Sequence, residues 1–188
     1  MSSSMSNPLR MLARLGVAVS IGLAPASGFA EARYGLSDEV SAVFSRWLRS
    51  TCIGDEERAL SESLLRYRSA LAPAFEKAIV DGPPEDERSI ARAAAEARYA
   101  ERAKFPIEDY LIEGVSKEQL ARFKRVSGEQ YIDDQVRRFA AGYRSNAVAG
   151  LGIVGGTTAR ALLARIVVNK DDPLALAAAE ALKAMRRR

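Results

Sequence analysis

GLGIVGG, Gly150 to Gly156, contains the pattern G-x-G-x-x-G at Gly150, Gly152 and Gly155. This is the spacing of a dinucleotide-binding loop, in which glycines let the backbone approach a pyrophosphate. An acidic pair that starts at Asp171 follows at about the distance where such folds place the carboxylate that binds the ribose. The stretch is therefore either part of a nucleotide site or a glycine-rich turn between two helices.

The residues on both sides of the glycines favour the helical interpretation. A dinucleotide loop must follow a strand and open a helix within a parallel sheet. Before Gly150 the apolar residues of RRFAAGYRSNAVA have helical spacing, and only residues 147–149 could form a strand. A second strand over ARIVV would leave too short a helix between the two, and the segment after Asp172 is helical, so no sheet can be assembled. We predict that the glycines end one helix, let the chain turn tightly and bind nothing.

The residues that follow predict an antiparallel helical hairpin. A first helix runs roughly from Thr157 to Val168, and Asp172 can cap a second helix that has Pro173 at its first position. Only NKDD separates the two helices. Their inward apolar positions are Leu162, Leu163, Ile166 and Val167 in the first helix, and Leu174, Ala177, Ala178, Ala181, Leu182 and Met185 in the second.

The segment from Tyr143 to Met185 also carries a family pattern, in which a helix end, a turn, a helix, an acidic loop with proline and an Ala-rich helix follow one another. The positions that match are Ala149, Leu151, Gly152, Val154, Gly155, Leu162, Leu163, Ile166, Asp171, Asp172, Pro173, Ala177, Ala178, Ala181 and Leu182. In these residues the chain resembles HEAT-like helical repeats of the phycobilisome-lyase type, and it departs from the pattern at Leu174 to Leu176. The resemblance implies an all-α, right-handed stack of antiparallel helical hairpins, an irregular solenoid whose long surface binds proteins.

Helical periodicity continues upstream of this segment. Ser37 can cap a helix, Asp55 can open a second one, and Pro73 predicts a kink or break just before it. A further helix starts at Pro84 or Glu85. Its inward residues are predicted to be Ile90, Ala94 and Ala97, and those of the helix after Ser37 to be Val40, Val43, Phe44, Trp47 and Leu48.

Two capping boxes mark further helix starts. Ser116 with Gln119 forms the first, and Ser127 with Gln130 forms the second. A hydrophobic pair flanks each box in the staple relation. The second helix has one apolar stripe, made of Ile132, Val136, Phe139, Ala140, Tyr143 and Ala147.

The first thirty residues have the features of an export signal. Arg10 and Arg14 give a positive beginning, and the apolar run LGVAVSIGLA over 15–24 is about half of the roughly 20 residues that a membrane-spanning helix needs. Small residues then predict cleavage near Ala30 or Ala32. The alternative is that the segment is retained as an N-terminal anchor.

Composition excludes several classes of activity. The whole chain has no histidine, which removes His-based triads, Cys-His dyads and imidazole zinc sites. Without Arg10 and Arg14 the formal net charge falls from +4 to +2, with no large basic block, so no nucleic-acid partner is expected. The one cysteine, Cys52, cannot form a disulfide within the chain, and we expect it to be buried.

Enzymatic hypotheses therefore rest on carboxylates. Glu62 precedes a serine on a predicted helix, as does the catalytic acid of lytic transglycosylases, but the other motifs of those enzymes are absent. The acidic pairs Glu108-Asp109, Asp133-Asp134 and Asp171-Asp172 are adjacent in sequence, so their side chains do not converge on a helix. Tyrosines at 67, 99, 110, 131 and 143 either line a groove or lie at the core boundary, and helical spacing favours the boundary.

The sequence predicts a signal peptide over 1–30 and one helical domain over 31–188, in which 143–186 is the clearest repeat-like part. We expect a periplasmic or secreted protein that binds another protein of the cell envelope, as an adaptor or assembly factor and without catalysis. No catalytic, cofactor-binding or metal-binding residue is assigned, and no cofactor or integral membrane span after signal removal is expected. The alternative is a carboxylate-dependent, glycan-cleaving enzyme of the periplasm with Glu62 as its acid.

Overall fold

A computed structural model describes residues 33–50, 55–104 and 127–187, together with the single positions 116 and 118. The predicted signal over 1–30, Cys52 and the pair Glu108-Asp109 lie outside the described residues. Gln119, the second residue of the first predicted capping box, also lies outside them.

Seven helices have bounds within the described ranges, and no strand occurs there. They are α1 (Asp38–Arg49), α2 (Asp55–Arg66), α3 (Arg68–Asp81), α4 (Glu85–Ala103), α5 (Gly128–Val154), α6 (Thr157–Val168) and α7 (Ala175–Arg186). The all-α prediction is thus confirmed for the described part of the chain. None of these helices is both long and apolar enough to cross a membrane.

The centre of the fold is α5, a 27-residue helix that contacts each of the other six helices. Its start is the capping box predicted from sequence. The backbone N–H of Gln130 donates to Ser127 Oγ at 3.2 Å, and the backbone N–H of Ser127 donates to Gln130 Oε1 at 3.0 Å. Each bond satisfies a backbone donor that a helix start leaves without a partner, so the long helix begins at a defined residue.

The glycine stretch lies at the other end of α5. Gly155 and Gly156 have positive φ angles, of 72° and 109°, and they turn the chain between Val154 and Thr157. Gly150 and Gly152 lie inside the helix instead. A helix and not a strand precedes the turn, so the pattern is not arranged as a dinucleotide loop.

The two helical glycines are sites of close helix packing, which corrects the prediction that all the glycines serve the turn. A Cβ atom on Gly150 would lie 2.5 Å from Cζ of the buried Phe75 of α3. A Cβ atom on Gly152 would lie 2.7 Å from the Cβ of Ala181 of α7 and 3.1 Å from its Cα. The distances of 2.5 Å and 2.7 Å are far below van der Waals contact, so only glycine permits these two helix crossings.

The predicted hairpin is formed by α6 and α7, which pack against each other. The bounds of α6 are those expected from sequence, but α7 begins at Ala175 and not at Pro173. The N-cap residue is Leu174 and not Asp172, which corrects the predicted cap; Asp172 Oδ1 accepts a hydrogen bond of 2.8 Å from the backbone N–H of Leu174 in the turn before α7. A second hydrogen bond of that turn joins the backbone N–H of Ala175 to the carbonyl of Asp172, three residues earlier.

The buried core lies between α5 and the helices that pack against it. The largest fully buried side chains are those of Phe44, Phe75, Leu64, Leu71, Leu151, Leu163 and Val148. The predicted stripe of α1 is confirmed, apart from Val43, which is only partly buried. Ser37 is at the N-cap position of α1, but its side chain makes no capping hydrogen bond, which corrects its predicted role.

Two polar side chains of α5 bind the C-terminal ends of neighbouring helices. Asn146 Nδ2 donates to the carbonyls of Leu48 and Ser50, at 3.0 Å each, at the end of α1. Arg144 Nε donates to the carbonyl of Ile79, in the last turn of α3, at 2.7 Å. The last carbonyls of a helix have no partner within it, so these bonds satisfy them and fix α1 and α3 on α5.

The break expected just before Pro73 lies at Tyr67, between α2 and α3, and Pro73 itself is inside α3. The proline ring acts on the carbonyl four residues earlier, which belongs to Ser69. Because Ser69 is the second residue of α3, the distortion falls at the start of that helix, next to the break at Tyr67.

The prediction for α4 is wrong in part. Ile90 is 46% exposed and Ala97 is exposed, whereas Ala95 is the buried residue of this helix. The main neighbour of α4 is α5 alone, so a narrow stripe of alanines faces the rest of the protein.

Candidate functional site

A groove of about 210 Å³ lies between α4 and α5. Its apolar walls are formed by Ile90, Ala91, Ala94 and Ala95 of α4 and by Phe139 of α5. The alanines follow the i, i+3, i+4 spacing of one helix face, and their small side chains leave the space between the two helices unfilled. Small residues on this face thus leave an open groove beside the contact between α4 and α5.

Charged and polar side chains border the apolar walls. Arg49 and Glu87 line the groove together with Arg98 and Gln135. Glu87 is in the first turn of α4 and Arg98 lies three turns further along it, about 16 Å away at 1.5 Å per residue. The groove therefore has an acidic and a basic group separated along its length, with apolar surface between them.

Arg49 and Glu87 come from different helices and form an incomplete ion pair. Arg49 Nη2 lies 3.9 Å from Glu87 Oε1, which is an electrostatic contact and too long for a hydrogen bond. The side chains are 30% and 12% exposed. Arg49 Nε and Glu87 Oε2 are buried, and neither has a hydrogen-bond partner in the described protein. A donor and an acceptor thus lack a hydrogen-bond partner among the described residues.

Burial raises the pKa of the Glu87 carboxyl above its ordinary value. The positive charges of Arg49 and Arg33 lower this pKa, and the negative charge of Asp86 raises it further. Burial outweighs the attraction to Arg49, as is consistent with the long contact between the two side chains.

Tyr34 and Tyr143 adjoin Glu87 on the core side. Their hydroxyl oxygens are 3.3 Å apart, and with Glu87 they line a small cavity of about 10 Å³. Burial raises the pKa of both phenols, most strongly that of Tyr143. Both stay neutral at pH 7, so this pair provides hydrogen-bonding groups and not a phenolate base. Glu87 thus lines both the groove and this small cavity.

Those of the carboxylates considered from sequence that the structure describes are not brought together. Glu62 is exposed on α2 and does not line the groove. Asp133 pairs with Arg92 at 2.7 Å, and Asp134 pairs with Arg138 at 2.7 Å. Asp171 and Asp172 lie in the turn between α6 and α7. Within the described ranges there is no group of three metal-ligating side chains.

Sequence reasoning missed Arg49 and Glu87. Arg49 is at the end of a helix and Glu87 is in an acidic first turn, which are both positions where these charges are common. Of the five tyrosines, Tyr143 lies beside the site, whereas Tyr99 and Tyr131 contact each other with ring centroids 5.6 Å apart.

Searches with the chain found no matching model of a protein family, no matching curated protein and no matching solved structure. The resemblance to HEAT-like repeats therefore stays a prediction that depends on the residues quoted for it.

Replacing Glu87 with glutamine should raise the free energy of unfolding at pH 7, and the gain should vanish as the pH approaches 4. Glutamine resembles the protonated acid. Because the pKa of Glu87 is raised in the folded protein, its contribution to stability is full below its ordinary value of 4.5 and is lost as pH rises through the folded value. Urea unfolding of both proteins at pH 4, 5.5 and 7 measures the difference. Glu85→Gln is the control, because Glu85 is 78% exposed, and a gain from Glu87→Gln that is independent of pH would contradict the prediction.

Proposed function

We propose that this protein is exported and binds another protein of the cell envelope through the groove between α4 and α5, as an adaptor or assembly factor that performs no catalysis. The observation that carries the proposal is the 46% exposure of Ile90 beside the alanine stripe. A groove with apolar walls and charged borders is the surface into which an amphipathic helix of a partner packs its apolar face.

The shape of α4 supports this type of partner. The helix has 19 residues, about 28 Å of length, and its main packing is on α5. One side of the alanine stripe is therefore open along several turns. A partner helix in this position would cover Ile90 and Phe139 and keep the exposed arginines of α4 at its border.

The finer architecture that we propose is an irregular right-handed stack of antiparallel hairpins, of which α6 and α7 form the clearest. The packing of α6 on α7 supports this proposal, whereas the contacts of α5 with each of the other six described helices differ from the neighbour-only contacts of a regular repeat. The export signal over 1–30, with cleavage near Ala30 or Ala32, is the basis for placing the protein in the periplasm or outside the cell.

The test is photocrosslinking in intact cells. A photoreactive amino acid at position 90 should give one reproducible adduct with an envelope protein, and the same amino acid at position 168 should not. Val168 is the matched control, because it is an apolar residue that is 82% exposed and lies on α6, away from the groove. In a second variant, Ala94→Arg fills the groove and should reduce the adduct from position 90 at least tenfold with unchanged helicity.

Adducts of equal amount from both positions, or an adduct that survives Ala94→Arg, would contradict binding at this groove. Absence of any adduct from position 90, with the protein present at normal level, would contradict the proposal as a whole.

A further inference from the structure

The two ends of the groove between α4 and α5 differ in charge. At one end Arg49 and Glu87 have opposite charges and lie 3.9 Å apart, so the two charges largely offset each other. At the other end Arg98 is an exposed cation. The residues that line the groove thus include two arginines and one glutamate, which leaves an excess of one positive charge at the Arg98 end.

Arg98 differs from the other three arginines of α4. Arg88 and Arg92 each have a carboxylate partner at 2.7 Å. The guanidinium of Arg102 lies 5.9 Å from the ring centroid of Tyr131. Arg98 has no ion pair, hydrogen bond or ring contact with the described part of the chain. Its charge is therefore available to a group of a bound partner.

A partner in the groove changes the surroundings of Arg98. A helix that packs on Ile90 and Phe139 also covers part of the Arg98 side chain, because all three residues line the same groove. Removing a charge from water costs free energy unless an opposite charge replaces the water. A carboxylate compensates this cost, and the planar guanidinium can bind it with two parallel hydrogen bonds. A basic group at the same place would be repelled.

The spacing along α4 determines where this carboxylate lies on the partner. Ile90 and Arg98 are eight residues apart, which is about 12 Å along the helix axis. A partner helix that lies along the groove has the same rise per residue. Its aliphatic residue over Ile90 and its acid at Arg98 are therefore about two turns apart, a spacing that places both on one helix face.

We propose that the partner of the groove is an amphipathic helix whose apolar face carries a carboxylate that pairs with Arg98, about two turns from an aliphatic side chain that packs on Ile90 and Ala94. The inference rests on the proposed function of the groove. It adds the sign of the partner's charge and the position of that charge on the helix.

Photocrosslinking from position 90 in intact cells tests the charge. Arg98→Glu should reduce the adduct with the partner at least about tenfold, because repulsion replaces attraction. Arg98→Met keeps the aliphatic stem without the charge and should reduce the adduct about threefold, whereas Arg98→Lys should keep most of it. Arg160→Glu is the matched control, because Arg160 is exposed on α6 and does not line the groove.

The site of the adduct tests the spacing. Mass spectrometry of the crosslinked peptide identifies the partner residue that is joined to position 90. We expect an aspartate or glutamate about two turns from that residue in the partner. Exchange of this acid for arginine should restore the adduct that is lost in Arg98→Glu.

The outcomes separate this inference from the proposed function. Equal adducts from Arg98→Glu and Arg160→Glu, a partner without an acid at this spacing, or a charge exchange that restores nothing would each overturn the inference and leave the groove as an apolar binding surface. An adduct between two copies of this chain overturns it as well. If position 90 gives no adduct in the unchanged protein, the inference fails together with the proposed function.

Discussion

Replacing Gly150 with alanine lowers the free energy of unfolding by about 2 kcal/mol, although alanine is the better helix former. The added Cβ would lie 2.5–2.8 Å from three ring atoms of Phe75, a residue with no solvent exposure and therefore no room to move. Overpacking of this kind typically costs about 1–3 kcal/mol and can exceed that range when the ring is confined. The helix propensity of alanine returns at most about 1 kcal/mol. Urea unfolding followed by circular dichroism measures the change.

The same helix contains the control. Gly142 is exposed, and a Cβ there meets nothing within 4 Å, so Gly142→Ala should raise the free energy of unfolding by about 0.5–1 kcal/mol. Gly152→Ala should be destabilising, because the clash reaches the Cα of Ala181 and the two helices must separate. A stabilising effect of alanine at 150, similar to that at 142, would mean that Phe75 does not lie against this glycine.

A double-mutant cycle assigns the cost at Gly150 to its contact with Phe75. With Phe75→Leu the smaller side chain gives the new methyl group space, so Gly150→Ala should be less destabilising than in the unchanged protein by at least about 1 kcal/mol. Additive effects of the two substitutions would contradict the contact.

Replacing Asn146 with aspartate lowers the free energy of unfolding by about 3 kcal/mol at pH 7. The amide of Asn146 donates to the carbonyls of Leu48 and Ser50. A carboxylate has no donor, so both carbonyls lose their partner and face a negative charge at the C-terminal end of α1, where the helix dipole is also negative. Asn146→Ala removes the bonds without adding a charge and should cost about 2 kcal/mol. Urea unfolding at pH 7 measures both variants.

Asn169 provides the matched control for this substitution. Its Oδ1 accepts a hydrogen bond from the backbone N–H of Asp171 at 3.3 Å, in an exposed turn. Aspartate can accept the same bond, so Asn169→Asp should change the free energy of unfolding by less than about 0.5 kcal/mol. Equal effects at 146 and 169 would show that the amide of Asn146 does not hold the end of α1.

The parts of the fold that sequence predicted well are those set by neighbouring residues. The Ser127–Gln130 capping box, the bounds of α6 and the apolar stripe of α1 each depend on residues within a few positions of one another. The predicted break just before Pro73 differs from the observed one at Tyr67, because proline distorts the preceding helical turn. Where that turn begins depends on how α2 and α3 each pack on α5.

The candidate site could not be predicted, because its geometry is non-local. Arg49 and Glu87 meet only through the packing of α1 and α4 on α5. From the sequence, Arg49 is explained as a basic residue at a helix end and Glu87 as an acidic residue at a helix start, where such charges are common. The packing role of Gly150 could not be predicted for the same reason. Glycines near a turn are normally assigned to that turn, and only the folded structure shows that Gly150 packs against Phe75.

NMR of the full chain distinguishes the end of a packed helix from a nucleotide-binding loop at GLGIVGG. We predict nuclear Overhauser contacts from the α-protons of Gly150 to the ring of Phe75 and from those of Gly152 to the methyl group of Ala181. The Gly150 α-protons should be shifted by the ring current, and residues 150–154 should have helical carbon shifts. The absence of these contacts, together with extended carbon shifts before Gly150 and signal changes over 150–156 on addition of NAD, would show that GLGIVGG is not the end of a packed helix.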